Sequence, residues 1–399
     1  MRTIGVSMLM VGVLGCGAVS RQGDDDGDGA DGDAAPDGCT IDGVSYADGD
    51  GHPADPCLAC DAGASASEWS PNDGAVCDDG RYCTGEDSCG GGTCSVHSGA
   101  PCLLCDEGGE TCTRNELVAV EGGTFEMGSP TDEVGRESNF VDETQHEVTL
   151  TRGFEMTVTE VTQGQFEGLL GYNPSQFTAC GTQCPVEGIN FYEALAYANL
   201  ASEEQGLPAC YELGDIVCGD DSAGSAPDYC RENGFISSAT VTVTAETPYE
   251  CAGFRLPTEA EWEWAARAGT TTVFSDGGTL DEAHIDCVTP FHLTQIAWYC
   301  GNGGGTTHPV GLKDVNPWGL HDMHGNIHEW TWDWYAEYPA GPVSDPSGPE
   351  AGTQRTFRSG AWGDSARYSR SATRSQMEPN FRYPGNLGLR LVRTARAAR

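Results

Sequence analysis

The sequence predicts an irregular α+β domain, low in regular secondary structure, carried on a disulfide-rich stalk. Three observations predict it. Ten of the 19 cysteines fall between Cys39 and Cys112, where large apolar residues are few. From about Leu117 tryptophan and tyrosine become frequent and apolar patterning begins. Within that second part, short alternating segments stand beside a few segments with helical spacing.

The chain has 399 residues, more than one average domain. Its 61 acidic and 20 basic residues leave a formal net charge of -41. Such a surface repels phosphate backbones, so nucleic acid is excluded as a partner. Nineteen cysteines do not suit a reduced cytosolic protein.

Residues 1–16 read as an export signal. Arg2 precedes an apolar run from Ile4 to Leu14 that is too short to span a bilayer. "VLGC" at 13–16 resembles a bacterial lipobox, with Cys16 as the acylated new amino terminus. The alternative is an ordinary secretion signal in which Cys16 is discarded. Either way the mature chain is expected outside the cytoplasm, where disulfides persist. With the lipobox it is expected in the cell envelope, at the outer membrane or cell surface, touching the membrane only through its lipid.

Residues 17–38 form an acidic linker. Nothing larger than alanine is apolar in "RQGDDDGDGADGDAAPDG" (21–38), and its aspartates repel one another, so an extended disordered spacer is expected. Asp24, Asp26 and Asp28 imitate a calcium loop, but the twelfth position is Ala35 where that loop needs glutamate.

Residues 39–115 form the stalk. A segment with so little core needs covalent staples. "PCLACDAG" (56–63) echoes "PCLLCDEG" (101–108), and two such Cys-x-x-Cys pairs could chelate zinc. The export signal and six further cysteines favour about five disulfides instead.

Residues 116–396 form the large domain. "LVAVEGGTFEMGS" (117–129) alternates like a strand and turns at Gly122–Gly123. "HEVTLTRGFEMTVTEVT" (146–162) reads as two strands. Segments 161–172 and 189–206 have helical spacing, with Gly206 as a stop. In "RLPTEAEWEWAARAG" (255–269), Thr258 and Glu261 form a capping box, and the helix should run to Arg267 with Gly269 as its C-cap. Cys180 and Cys184 are close enough to bridge. Cys210, Cys218, Cys230 and Cys251 bracket an insertion held by two disulfides, and Cys287 is expected to pair with Cys300.

"VEGGTFEMGS", "EVTQGQF", "PVEGINFYEALAYAN", "GFRLPTEAEWEWAARAG", "NPWGLHDMHGNIHEW" and "NLGLRLVR" occur in the order seen in the formylglycine-generating enzymes, also called sulfatase-modifying factors. The resemblance runs over residues 117 to 394. It implies a C-type-lectin-like fold with bound calcium. It also implies an oxidase that converts a cysteine of a sulfatase peptide to formylglycine with molecular oxygen and copper(I) on two thiolates. Soft thiolates suit copper(I).

The tract where those thiolates belong, "RSGAWGDSARYSRSATRSQ" (358–376), has no cysteine, and none follows Cys300. Asp364 stands about where the first ligand would be, Ala361 replaces a turn serine and His328 replaces a tryptophan. Copper is therefore not expected. The resemblance places structural calcium on Asp322, the carbonyls of Gly325 and Ile327, and Glu329. It places His328, Trp362, Asp364, Arg374 and Asn386 at the groove, with Arg390 the arginine more suited to a structural role. His324 is expected to pack in the core and His321 to lie on the surface. His324 and His328 have a His-x3-His spacing, but Gly325 and Asn326 argue against a helix there. A second metal on His328 and Asp364 is a lesser alternative. The expected function is a non-oxidase that binds a peptide, protein or glycan. Its rivals are a formylglycine-generating or other metal-dependent oxidase acting on an exported protein, and a stalk that binds while the domain only supports it.

Overall fold

A computed structural model describes residues 38–395 except 42–43, 53–54, 62, 66, 73–75, 78–85, 91–92, 99–103, 107–110, 114–116, 137–141, 220–229, 231–234 and 288–291. The export signal, Cys16 and the acidic spacer lie outside the described residues. In the stalk, Cys39 bonds Cys60, and their sulfurs pack with Ile41, Tyr46 and Trp69 into a small core. Cys57 is also disulfide-bonded, so the first Cys-x-x-Cys pair is oxidised rather than a pair of metal thiolates.

Segment 117–129 forms two strands, Leu117–Val120 and Gly123–Met127, but they do not form a hairpin with each other. Leu117–Val120 pairs with Phe154–Thr157, whose other edge takes Val392–Thr394 near the carboxyl end. Gly123–Met127 pairs instead with His146–Leu150. The chain changes sheets at Gly122–Gly123 because backbone and ring crowd in there. A Cβ on Gly122 would lie 2.6 Å from the Leu150 carbonyl oxygen, and one on Gly123 would lie 2.8 Å from the Trp264 ring.

All three long helices start at capping boxes. α1 (Gln163–Leu170) uses Thr162 and Gln165, α2 (Phe191–Glu204) uses Asn190 and Glu193, and α3 (Glu259–Arg267) uses Thr258 and Glu261. Only the third is expected from the sequence. α3 ends one residue before the expected glycine: Ala268 takes the left-handed conformation at φ 48° and donates its amide to the Trp264 carbonyl. α2 is buried on nearly every face. The antiparallel ribbon Tyr211–Cys218/Ile236–Val243, which is the cysteine-bracketed insertion, covers one side of it. Cys210–Cys251 closes the base of that ribbon and Cys218–Cys230 closes a loop within it.

A four-stranded sheet carries the site. Its order is Ser375–Met377, Arg355–Arg358, His328–Trp334, Leu387–Gly388. His328–Trp334 runs antiparallel to Arg355–Arg358 and parallel to Leu387–Gly388. Trp330 on this sheet and Trp262 on α3 are among the largest fully buried side chains.

Long loops cannot satisfy their polar groups by ladders alone, and here buried guanidinium–carboxylate pairs supply donors. Arg255 grips Glu261 through two bonds of 2.7 Å, Arg370 grips Glu143 at 2.8 Å, and Arg358 bridges Glu259 and Glu263. A guanidinium presents five donors in a rigid fork, so one side chain ties several segments together.

Candidate functional site

The stretch 322–329 makes a tight loop that enters the central strand. Asp322 and Asn326 both take positive φ, at 59° and 71°, a conformation that short polar side chains tolerate. Asn326 fixes the loop by accepting the His308 amide at 3.0 Å and donating to the His308 carbonyl at 3.1 Å. Gly325 is needed because a Cβ there would lie 2.3 Å from the Trp298 carbonyl oxygen.

Behind the loop three carboxylates are buried around one arginine. Arg390 holds both oxygens of Glu329 at 2.9–3.0 Å, and the Trp262 indole donates to the same carboxylate at 2.6 Å. Asp322 Oδ2 accepts the Gly311 amide at 2.7 Å, but Asp322 Oδ1 and both oxygens of Glu160 have no hydrogen-bond partner among the described residues. Burial pushes the Glu160 carboxyl well up, and repulsion from Asp322 adds to it. Burial likewise raises Asp322.

Three carboxylates against one guanidinium leave two negative charges that need protons or a cation. Among the described residues no group of three or more carboxylate, histidine or cysteine side chains is arranged to hold a metal ion, so protons satisfy the excess as the structure stands. Of the residues expected to hold calcium, Asp322 offers a free oxygen, whereas Glu329 is fully engaged by Arg390 and Trp262. Glu160 was not singled out as a site residue. Its one sequence signal is a lone acid in the β-branched stretch "TVTEVT".

His328, at the start of the central strand, meets Asp364. His328 Nε2 lies 3.0 Å from Asp364 Oδ2, and Nδ1 lies 2.8 Å from the Ser359 carbonyl oxygen. Both acceptors lack a proton to offer when Asp364 is ionised, so both ring nitrogens donate and the ring is an imidazolium. Burial opposes that charge, but Asp364 and the two hydrogen bonds outweigh it and raise the His328 pKa. Burial raises Asp364 in turn, yet His328 and the Ala361 amide bring it below its usual range. With both nitrogens engaged, His328 has no lone pair for a metal.

Asn386 and Trp362 join this pair. The Asn386 carbonyl accepts the His328 amide at 2.7 Å, and Trp362 donates its indole N–H to the Gly385 carbonyl at 2.6 Å. Trp362 stands edge-on to Phe177, and Tyr383 lies parallel to the His328 ring at 6.3 Å. Arg374 is not with them. Its guanidinium clamps Glu259 at 2.6 and 2.7 Å and donates to the carbonyls of Asp142 and Ala336, so it fixes the α3 end of the fold instead of the groove.

The other histidines take packing roles. His324 is buried, its Nδ1 donates to the Ser369 carbonyl at 2.9 Å, and burial lowers its pKa to about 4. His321 is half-buried rather than on the surface, and its Nδ1 donates to the Lys313 carbonyl at 2.7 Å. All eight cysteines of the domain are paired: Cys180–Cys184, Cys210–Cys251, Cys218–Cys230 and Cys287–Cys300. No thiol therefore remains there for copper(I), and the residues present do not fit that metal.

Residues 106–395 match the model of the sulfatase-modifying factor enzyme 1-like domain. The chain belongs to the sulfatase-modifying factor family. Chaperone protein LppX of Paenibacillus barcinonensis is 31% identical over 310 residues, 73% of this chain and 93% of that protein. The formylglycine-generating enzyme of Streptomyces coelicolor is 35% identical over 163 residues, 36% of this chain and 48% of the enzyme. The match thus covers less than half of that enzyme's length. Treponema denticola variable protein 1 has a similar solved structure, at TM-score 0.55 and 30% identity, covering 70% of this chain and 95% of that one. PvdO from Pseudomonas aeruginosa, at TM-score 0.51 and 24% identity, shares the fold. This sulfatase-modifying factor domain is therefore mixed α+β with few helices, consistent with the C-type-lectin-like expectation, and stapled by disulfides.

Proposed function

We propose that this family member is an exported, lipid-anchored recognition protein and not an oxidase. Its ligand is a peptide, protein or glycan outside the cytoplasm, and its groove is the surface around His328, Asp364, Trp362 and Asn386. The observation that carries this reading is the His328–Asp364 ion pair at the position where the resemblance puts a copper thiolate. The half-buried Asp364 carboxylate, held by the His328 imidazolium, offers acceptor oxygen for recognition. An aromatic side chain next to it offers a stacking face. A protein ligand is favoured by the similarity to LppX, which is named a chaperone. Cys16 would carry the lipid, and no helix among the described residues is long and apolar enough to cross a membrane. Calcium on Asp322 and Glu160, with the carbonyls of Gly325 and Ile327 that the resemblance implies, would brace the loop that delivers His328.

The rival oxidase reading is tested with the folded, fully oxidised chain. Anaerobic titration with copper(I) against a chromophoric chelator, then incubation in air with a cysteine-containing sulfatase peptide, is expected to give neither stoichiometric uptake nor aldehyde. Stoichiometric copper(I) together with aldehyde formation overturns the proposal.

A further inference from the structure

A cavity of about 320 Å³ lies beside the amino end of α3 and shares no lining residue with the His328–Asp364 groove. Trp334, Tyr338, Pro339 and Pro346 give it apolar walls, and Asp333, His146 and Ser347 give it polar ones. A volume of this size is at the small end of ligand pockets.

Asp333 is only 5% exposed and forms no salt bridge among the described residues, although the charges of Arg374 and Arg355 reach it. Its Oδ2 accepts the Glu259 amide at 2.8 Å, and no donor among the described residues reaches Oδ1. Each nearby arginine is engaged elsewhere. Arg374 and Arg358 both bind Glu259. Arg355 lies over Trp334 at 3.6 Å and over Phe191 at 4.3 Å, and donates to the Trp332 carbonyl. Burial, with repulsion from Glu259, pushes Asp333 up to about 8, so it is largely protonated at neutral pH and a bound ammonium would draw it into the ionised form. His146 is 6% exposed, its Nδ1 lies 3.1 Å from the Thr144 carbonyl oxygen and so donates, and Nε2 is left as an acceptor with no partner among the described residues.

We propose that this cavity binds a small organic cation, a primary ammonium on an apolar body, with Asp333 as its counter-ion. Asp333 lines the cavity with an oxygen that no donor among the described residues reaches, and an ammonium supplies both a charge and a hydrogen bond to it. An ammonium carries three N–H donors, and the lining offers Asp333, His146 and Ser347 as acceptors. An anion is disfavoured because Glu259 and Glu337 also line the cavity, while its one lining arginine is already engaged. A hard metal ion would find too few oxygens among apolar walls.

The test uses the full folded chain and benzylamine as probe, with benzyl alcohol and benzoate as isosteric controls, followed by calorimetry. Benzylamine is expected to saturate a single site, and neither control is. Asp333→Asn is expected to weaken benzylamine at least tenfold. Because Asp333 also holds the Glu259 amide, Ser347→Trp provides a second variant that fills the cavity without touching that bond, and it is expected to abolish binding. Benzyl alcohol binding as tightly as benzylamine, unsaturable benzylamine binding, or unchanged affinity in Ser347→Trp each overturns the proposal.

Discussion

His328 donates to Asp364 from one ring nitrogen and to the Ser359 carbonyl from the other, so the pair is an imidazolium–carboxylate contact at the edge of the core. Its pH dependence has a definite sign. The folded pKa of His328 is raised, so its contribution is complete below about pH 6.5, the unfolded value, and fades as pH rises through the folded value. The folded pKa of Asp364 is lowered, so its contribution is present above about pH 3.9 and fades as pH falls through the folded value. The stability lost in His328→Gln should therefore be greatest near pH 5–6, at about 2 kcal/mol, and shrink above neutrality. Urea midpoints from pH 4 to 9 for both proteins check this, and a difference that grows with pH would contradict it.

Among the described residues Arg390 is the only guanidinium bonded to Glu329, and the charges of Glu160 and Asp322 act on the same group. Arg390→Met should cost about 3–5 kcal/mol, because it leaves a buried carboxylate cluster uncompensated. Arg390→Lys should recover little, since one ammonium cannot reproduce the fork on Glu329 while also reaching the Thr157 and His321 carbonyls. Denaturant unfolding of both variants measures the gap.

Calcium binding should raise the unfolding temperature, and a chelator should lower it. At a free concentration one hundred times the dissociation constant, the gain is about 2.7 kcal/mol. Asp322→Ala should remove the calcium-dependent part, since Asp322 Oδ1 is the unpartnered oxygen of the loop. Differential scanning calorimetry with and without calcium decides it, and an identical calcium shift in the variant would sink the assignment.

The two disulfides of the ribbon close loops of different length. Cys210–Cys251 spans 41 residues and Cys218–Cys230 spans 12. Replacing both cysteines of the longer loop by serine should cost about 4 kcal/mol, against about 3 kcal/mol for the shorter, from loop entropy alone. The buried position of Cys210 and Cys251 in the main core widens that difference. Chemical denaturation of the two double variants gives the comparison.

Ala268 occupies a left-handed helix end at φ 48°. Ala268→Gly should stabilise the fold by about 0.5–1 kcal/mol, because the Cβ penalty of that conformation exceeds the backbone entropy a glycine adds. A rise in unfolding temperature of a few degrees is the expected reading.

Much of the fold was legible in local signals. The helices follow apolar spacing, the strands follow alternation, and the family motifs carried the fold class. The sheet exchange at Gly122–Gly123 was not legible, because alternation says that a segment is extended but not which strand it meets. The C-cap was misplaced by one residue, because alanine at a left-handed position carries no sequence signature.

Residue types and order alone determined the family, the oxidised cysteines of the domain and the absence of a thiolate pair after Cys300. These are questions of which atoms exist, and the chain answers them directly. Only the tertiary structure decided that Arg374 clamps Glu259 away from the expected groove, that Glu160 joins Asp322, and that Asp333 lines a cavity. Each of these depends on which distant carboxylate reaches a guanidinium first, and sequence order does not encode that distance.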